Sequence, residues 1–231
     1  MRIDSHQHFW EKDGHSYMPE TLASILKRNR FDGSIAAAMA HETQWLLELA
    51  SQHEFIRGVL GRTAALDEVD GFQRHPKFRG ICARVDGPIA AKELERRGLT
   101  LDVEADASEL PRVSRLAESA PELRLVIDHM AIGPFAEWER GVAELARAPK
   151  VFCKISGVFR SGGVDVRPYV RHLLGLFGPE RLMFGSDWPA ALPQYSWKEN
   201  LACFTQAIGA QTIETREQLL GETARRVYRL D

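Results

Sequence analysis

The chain has 231 residues, of which 44% are hydrophobic and 27% are charged, values that are ordinary for a globular protein. Thirty basic residues stand against 32 acidic ones, so no basic block indicates a nucleic-acid partner and no acidic tail indicates a disordered arm. Three cysteines, odd in number and without a CxxC pair, argue against a disulfide framework and a structural zinc site.

The N-terminus lacks an apolar signal segment, and no apolar run approaches the roughly 18 residues that span a bilayer. Cys82 and Cys153 lie inside apolar runs, where a free cysteine is expected to be buried as a small apolar residue. We therefore expect a reduced, cytoplasmic protein that acts on a small molecule, with no membrane and no nucleic acid as partner.

Short apolar runs of strand length recur along the whole chain. They are Arg2–Phe9, Gly33–Met39, Ile56–Gly61, Gly80–Val85, Leu99–Ala105, Leu123–His129, Val151–Ile155 and Arg181–Ser186. Several of these runs are nearly continuous in apolar residues, as a parallel sheet that is covered on both faces requires.

Helix-like stretches lie between many of these runs and after the last one. They are Glu42–Gln52, Ile89–Arg97, Leu110–Ser119, Phe135–Arg147, Val166–Phe177 and Thr212–Tyr228. Several end at a glycine or before a proline, and in the last one Thr215 and Gln218 have the spacing of a capping box.

This alternation of strand and helix predicts an α/β fold, a single-domain (β/α)8 TIM-type barrel over residues 1–231. A doubly wound open sheet is the alternative, because periodicity alone does not establish that the sheet closes. The count of eight units favours the barrel.

Two histidines end the first predicted strand, in Asp4-Ser5-His6-Gln7-His8. Residues two apart on a strand share a face, so His6 and His8 project together with Cα atoms about 7 Å apart, and Asp4 is expected on the same face. Polar groups inside a barrel are costly unless they are paired or bound, which favours a pair that binds metal or polarises substrate. The alternative is two surface histidines at an irregular N-terminus.

The sixth and eighth runs become polar only at their carboxyl ends, where barrel active sites lie. His129 follows Asp128 in the sixth run, and Asp187 follows Gly185-Ser186 in the eighth. A carboxylate held beside imidazoles or a metal stays ionised near neutral pH and can take a proton from water. A core histidine bonded to Asp128, and a helix N-cap at Asp187, are the structural alternatives.

Three further charged residues lie at or near strand ends and are candidates for substrate binding. Arg84 ends the fourth run, Glu104 lies near the end of the fifth, and Lys154 near the end of the seventh. Arginine or lysine could hold a substrate carboxylate or carbonyl oxygen, although salt bridges of Arg84 or Lys154 with Glu104 or Asp86 would serve the barrel mouth equally well.

Several longer motifs appear in a fixed order along nearly the whole chain. They are Ile3-Asp4-Ser5-His6-Gln7-His8-Phe9-Trp10, Trp45-Leu46-Leu47-Glu48-Leu49-Ala50, His75-Pro76-Lys77-Phe78-Arg79-Gly80, Asp128-His129-Met130, Cys153-Lys154-Ile155-Ser156-Gly157 and Arg181-Leu182-Met183-Phe184-Gly185-Ser186-Asp187-Trp188-Pro189. In this order they resemble the amidohydrolase-related branch of the amidohydrolase superfamily, which includes L-fuconolactonases and 2-pyrone-4,6-dicarboxylate lactonases.

The resemblance implies a hydrolase that opens a small sugar-acid or dicarboxylate lactone, or a related ester or amide, with activated water. It implies catalytic roles for His6, His8, His129 and Asp187 and a substrate contact for Arg84. In much of the superfamily the histidines and the aspartate bind zinc, whereas the lactonase branch does not always need a metal, so both forms stay open.

The chain is also shorter than its relatives, and the missing length is expected in loops that rim the site. Two other functions remain open on the same barrel. One is a metal-dependent decarboxylase or hydratase of small aromatic acids, and the other is a binding barrel without activity.

Overall fold

The computed structural model describes residues 1–12, 14–157 and 163–230 of the chain. Its strands, numbered in chain order, are β1 (Ile3–Gln7), β2 (Trp10–Lys12), β3 (His15–Tyr17), β4 (Gly33–Ala37), β5 (Ile56–Gly61), β6 (Phe78–Arg84), β7 (Thr100–Glu104), β8 (Arg124–Ile127), β9 (Val151–Ile155) and β10 (Leu182–Phe184). β2 and β3 form a short antiparallel hairpin, and the other strands form one parallel sheet in the order β1-β4-β5-β6-β7-β8-β9-β10.

This parallel sheet curls until its two edge strands meet. The backbone N–H of Asp187 donates to the carbonyl of His6 at 2.9 Å, and that of His8 donates to the carbonyl of Trp188 at 2.7 Å. The predicted (β/α)8 barrel is therefore confirmed, and the open doubly wound sheet is excluded. All predicted strands are present, with Ile56–Gly61 and Val151–Ile155 coinciding with the predicted bounds.

Helices follow the strands around the outside of the barrel. They are α1 (Pro19–Arg28), α2 (Thr43–Gln52), α3 (Leu66–Phe72), α4 (Ala91–Arg96), α5 (Leu110–Ser119), α6 (Phe135–Leu145), α7 (Arg167–Phe177), α8 (Trp197–Ile208), α9 (Ile213–Glu217) and α10 (Thr223–Val227). A π-helical turn, Gln218–Glu222, joins α9 to α10. Within the described residues, no helix is both long and apolar enough to cross a membrane.

The predicted capping box at Thr215 and Gln218 is wrong by one helical turn. Thr212 is the N-cap of α9, and its Oγ1 accepts a hydrogen bond from the backbone N–H of Thr215 at 3.2 Å. Gln218 instead donates through Nε2 to the hydroxyl of Thr223. A threonine that precedes the helix can reach the free N–H groups of its first turn, whereas one inside the helix cannot.

The last helix closes the amino-terminal end of the barrel. Val227, Tyr228 and Leu230 belong to the same buried apolar cluster as Ile3 and other residues of the barrel interior. The segment before this helix packs so closely against the N-terminal residues that only glycine fits at position 221, because a Cβ there would lie 2.1 Å from the carbonyl oxygen of Met1. The opposite, carboxyl-terminal end of the strands is left for the site.

Candidate active site

His6 and His8 meet the ring of His129 at the carboxyl ends of the barrel strands. The centroids of the His6 and His8 rings are 4.9 Å apart, and those of His6 and His129 are 4.6 Å apart, both edge to face. His6 is 1% exposed and His8 is 7% exposed, so neither is a surface histidine. The structure thus brings together three imidazoles from two distant parts of the sequence.

Asp187 places its carboxylate against these rings. Its Oδ1 lies 3.4 Å from Nε2 of His8 and 3.8 Å from Nε2 of His6, and its Oδ2 lies 4.0 Å from Nδ1 of His129. The backbone of Asp187 is left-handed, with φ 54°, directly after the last strand of the barrel. Four residues predicted as catalytic therefore surround one point.

A left-handed turn after β8 carries His129. His129, Met130 and Ala131 have φ values of 54°, 61° and 46°. The indole N–H of Trp138 donates to the carbonyl of Met130 at 2.7 Å and holds this unusual turn. Nδ1 of His129 is 2.9 Å from the hydroxyl of Ser156, which fixes the ring from the neighbouring strand.

Asp4 does not join the cluster, so the prediction that it shares a face with His6 and His8 is wrong. Its carboxylate accepts hydrogen bonds from the backbone and hydroxyl of Ser186, at 2.8 and 2.6 Å, and from the indole N–H of Trp197 in α8 at 2.8 Å. The pairing register of β1 shifts between Asp4 and Gln7, which interrupts the alternation of side chains on which the prediction depended.

Lys154 does not line the mouth of the barrel, as a direct substrate contact would require. It is 0% exposed, and its ammonium lies 2.5 Å from Asp102 Oδ2, 2.9 Å from Asp128 Oδ1 and 3.0 Å from His6 Nδ1. The alternative of a salt bridge with Glu104 or Asp86 is wrong for Lys154, whose side chain points into the barrel interior and pairs with buried carboxylates there. For Arg84 the salt bridge with Asp86 is confirmed.

Arg84 and Glu104 are adjacent at the ends of β6 and β7, where their Cα atoms are paired in the sheet. Both line a cavity of about 120 Å³ at the barrel mouth. The cavity is lined by Arg84, Glu104, Ala105, Asp106, Asp128, His129, Ala131, Ile132 and Gly157. The cavity therefore reaches the histidine cluster at His129.

These two rim residues differ in how tightly they are held. The side chain of Arg84 is 46% exposed and contacts Asp86 at 3.4 Å and Glu109 at 3.3 Å. Glu104 is bound by Arg62 at 2.9 Å and accepts from the thiol of Cys82 at 3.4 Å. Arg84 can thus turn toward a ligand at the mouth, whereas Glu104 is fixed in the wall.

The buried charges perturb the pKa values of the site. Burial raises the pKa of Asp187, but the charges of His129 and His6 and a hydrogen bond from His8, all present when these rings are protonated, outweigh it and hold the pKa below its ordinary value. Burial lowers the pKa of His6, and the nearby Lys154 ammonium lowers it further against the opposing effect of Asp128. The site therefore combines an ionised carboxylate with a neutral imidazole near pH 7.

His6, His8 and Asp187 have the donor chemistry of a divalent-cation site. Their ligand atoms all lie within 4.8 Å of one another. The two Nε2–Oδ1 distances, 3.8 and 3.4 Å, are close to the edge of about 3.4 Å expected for a tetrahedral zinc site with bonds near 2.1 Å. Nδ1 of His8 is 2.8 Å from the carbonyl of Ala37, which can only accept, so in the singly protonated ring the Nε2 lone pair faces Asp187. These residues fit a zinc ion.

Four residues near the site were not assigned to it from the sequence pattern: Asp102, Asp128, Ser156 and Tyr228. For Asp102 and its partner Lys154, however, the sequence does contain a signal. Asp102 and Lys154 each interrupt an apolar strand, and opposite charges inside two buried strands must pair. The sequence contains no such signal for Tyr228, because its contact with Asp102 depends on how the last helix packs against the base of the barrel.

Comparison with known proteins relates the whole chain to one family. The family model described as Amidohydrolase matches residues 59–230. Curated L-fucono-1,5-lactonases of Burkholderia multivorans and Burkholderia ambifaria are 32% identical over 285 residues and 30% identical over 283, and each alignment covers 100% of this chain and 96% of the relative. The crystal structure of an amidohydrolase from Burkholderia multivorans with bound zinc has a TM-score of 0.92 at 29% identity and covers 100% of both chains.

The alignments also bear on the length of the chain. They extend over 283 and 285 positions, whereas this chain has 231 residues, so the two lactonases are longer, as predicted. Where the missing residues lie in the three-dimensional structure stays a prediction.

Proposed function

The chain belongs to the amidohydrolase family, and from that premise we propose that it hydrolyses a small lactone, with sugar-acid lactones as the substrate class. The observation that carries this proposal is the carboxylate of Asp187 held against His6, His8 and His129 beside a small open cavity. The similar proteins from Burkholderia that are named L-fucono-1,5-lactonase support it.

The charges of the cavity favour an uncharged sugar lactone over a dicarboxylate lactone. Among the lining residues within the described part of the chain, Arg84 is the cation, and it already contacts Asp86 and Glu109. Glu104, Asp106 and Asp128 contribute three carboxylates to the same lining. Glu104 is paired with Arg62 and Asp128 with Lys154, but all three present acceptor oxygens. Hydroxyl groups of a sugar lactone can donate to these acceptors, whereas the carboxylates of a dicarboxylate lactone cannot and would meet the negative charge of Asp106.

Asp187 is the general base of the proposed reaction. It takes a proton from water as the water oxygen attacks the lactone carbonyl carbon, and His8 Nε2 accepts a hydrogen bond from the second O–H of that water, which stays on the new carboxyl group. The tetrahedral oxyanion then collapses, the ring C–O bond breaks, and the proton held by Asp187 passes to the leaving ring oxygen. The product is the open hydroxy acid.

The remaining residues stabilise and orient the reacting groups. In the metal-free site His6 donates from Nε2 to the carbonyl oxygen, His129 stabilises the developing oxyanion, and Arg84 orients a substrate hydroxyl at the mouth. Each oxyanion donor contributes about 3–4 kcal/mol in well-studied acyl-transfer sites. Glu104 forms the fixed wall on which the substrate rests, and Lys154 acts only through His6.

His6, His8 and Asp187 would hold a divalent ion such as zinc, and His129, whose Nδ1 lies 4.0 Å from Asp187 Oδ2, would be a further candidate ligand. A zinc ion supplies positive charge that polarises a carbonyl and lowers the pKa of bound water toward neutrality. That chemistry suits Asp187, because a carboxylate with a lowered pKa is a weak base. Three free cysteines, two of them buried, suit a reducing compartment, and we place the protein in the cytoplasm.

A substrate panel tests the proposal. Acid release is followed in a pH-stat with sugar-acid 1,5-lactones and with 2-pyrone-4,6-dicarboxylate, each with and without added zinc. We expect turnover of the sugar lactones to exceed that of the dicarboxylate by at least about ten-fold, since one unfavourable charge contact costs about 1.4 kcal/mol or more.

The same panel includes carboxylated aromatic acids with detection of released carbon dioxide. Decarboxylation without lactone opening would replace the hydrolase by the decarboxylase alternative. Binding of lactones without turnover, with or without zinc, would point to the barrel without activity.

A further inference from the structure

A row of buried polar side chains lies inside the barrel beneath His6. Asp102 comes from β7, Lys154 from β9 and Tyr228 from the residue directly after α10, and their exposed fractions are 0%, 0% and 1%. None of them contacts the mouth cavity. The proposed mechanism therefore leaves their chemistry unexplained.

Hydrogen bonds and ion pairs connect these residues into one continuous polar network. The phenol of Tyr228 donates to Asp102 Oδ2 at 2.6 Å, and the same oxygen accepts from the Lys154 ammonium at 2.5 Å. Lys154 continues to Asp128 Oδ1 at 2.9 Å and to Nδ1 of His6 at 3.0 Å. The C-terminal helix at the base of the barrel is thus connected to a site residue at the mouth.

Stability alone does not account for this chain of polar groups. Cys82, Val126 and Phe152 belong to the apolar cluster that also contains Tyr228. Replacing a buried ion pair by well-packed apolar side chains is often neutral or stabilising. This polar network directly contacts the His6 imidazole, which points to a role in the site.

In the metal-free protein, Lys154 favours a hydrogen on Nε2 of His6, whereas a zinc ion bound through Nε2 would need the hydrogen on Nδ1, where it would face Asp128 Oδ1. An ammonium group only donates, so Lys154 at 3.0 Å faces a lone pair on Nδ1 and leaves the hydrogen on Nε2. Asp128 Oδ1, the other neighbour of Nδ1, is farther away at 3.4 Å. Nε2 is the atom that faces Asp187.

We propose that Tyr228 is a positioning residue for catalysis: by its hydrogen bond to Asp102 it directs Lys154 at Nδ1 of His6, and so fixes the orientation and the proton of that ring. The inference rests on the proposed function for its catalytic consequence. The effect on the His6 ring does not depend on the substrate and can be measured separately.

The variant Tyr228→Phe removes only the phenolic hydroxyl. Tyr169→Phe is the matched control, since Tyr169 is also buried and its hydroxyl also donates a single bond, to the carbonyl of Gly133 at 2.8 Å. Lys154→Met is less informative, because it leaves two buried carboxylates without their cation and is expected to unfold the barrel.

Two readouts are taken on the metal-free protein and its variants. The first is kcat and KM, determined separately with a sugar lactone. The second is the 15N chemical shifts of His6, which are identified by their loss in His6→Gln. We expect the proton on Nε2 in the wild type. Tyr228→Phe should change the His6 shifts and lower kcat about ten-fold with KM unchanged, as second-layer partners of site residues typically do, while Tyr169→Phe changes neither.

Unchanged His6 shifts and unchanged kcat in Tyr228→Phe would overturn the inference, as would a wild-type ring with its proton on Nδ1. If the wild type opens no lactone either without metal or with added zinc, the proposed function fails. The His6 shifts then decide the positioning role by themselves.

Discussion

At the scale of single residues, the position of His129 depends on a glycine from the neighbouring strand end. Gly157 has a left-handed φ of 60°, and a Cβ on it would lie 2.6 Å from Nδ1 of His129. The same nitrogen is 2.9 Å from the hydroxyl of Ser156. A single methyl group at position 157 is thus enough to displace the ring.

We expect Gly157→Ala to lower kcat for lactone hydrolysis about 10–100-fold, because the displaced imidazole can no longer stabilise the oxyanion from its bound position. The left-handed backbone should also cost about 1 kcal/mol of unfolding free energy. Kinetics with a sugar lactone and urea denaturation measure the two effects separately.

Gly209→Ala is the matched control for backbone strain. Gly209 also has a positive φ, 69°, but a methyl group added at this exposed helix end would meet no atom within 4 Å. The variant should lose at least as much stability, because its ψ of −157° lies in a region that is almost confined to glycine, and should keep its kcat. Equal kcat values for Gly157→Ala and wild type would show that catalysis does not depend on the position of the His129 ring.

At the scale of elements, the C-terminal helical segment is fitted closely against the first strand. A Cβ at Gly221 would lie 2.1 Å from the carbonyl oxygen of Met1 and 2.7 Å from Cα of Arg2. Both neighbours are backbone atoms, which cannot rotate away. The π-helical turn at Gln218–Glu222 places this glycine at the contact.

Gly221→Ala should therefore destabilise the fold by about 1–3 kcal/mol, the usual cost of overpacking. Gly175→Ala is the control, since Gly175 lies on the exposed side of α7 with no atom near the added methyl group. That variant should gain about 0.5–1 kcal/mol. The midpoints of urea unfolding compare the two, and a Gly221→Ala protein as stable as the wild type would contradict the close fit.

Most of the elements could be predicted from the sequence because the barrel strands are continuous apolar runs between polar helices. Three helices were not predicted. α1 and α8 had usable signals, namely Pro19 at the helix start with Leu22 and Leu26 on one face, and the capping box of Ser196 with Glu199. α3 is short and buries only Val69, so its periodicity is weak.

The histidine and aspartate cluster could also be predicted, because carboxyl ends of barrel strands converge whatever their separation in sequence. The orientation of Asp4 and the burial of Lys154 could not. The first depends on a register shift in β1, and the second on carboxylates supplied by other strands and on a tyrosine that follows the last helix. Such details follow from packing between elements and not from the pattern within one.

At the scale of the whole molecule, closing the sheet is what assembles the site. Asp187 lies beside His6 because the end of the last barrel strand bonds to the first through Asp187 N–H and the His6 carbonyl at 2.9 Å. The helices cover the barrel and the last one seals its base, which leaves the mouth as the route for substrate. In the proposed mechanism, activity depends on one ionised carboxylate among three imidazoles.

The most direct measurement is the turnover of a sugar-acid lactone by Asp187→Asn, beside Asp32→Asn as a control in which an exposed carboxylate at the other end of the barrel is replaced. We predict that Asp187→Asn lowers kcat by about 10²–10⁴-fold, the usual contribution of a general base, while its unfolding curve stays that of a folded barrel and Asp32→Asn remains as active as the wild type. Wild-type kcat in a folded Asp187→Asn protein would contradict the central claim that this carboxylate activates water.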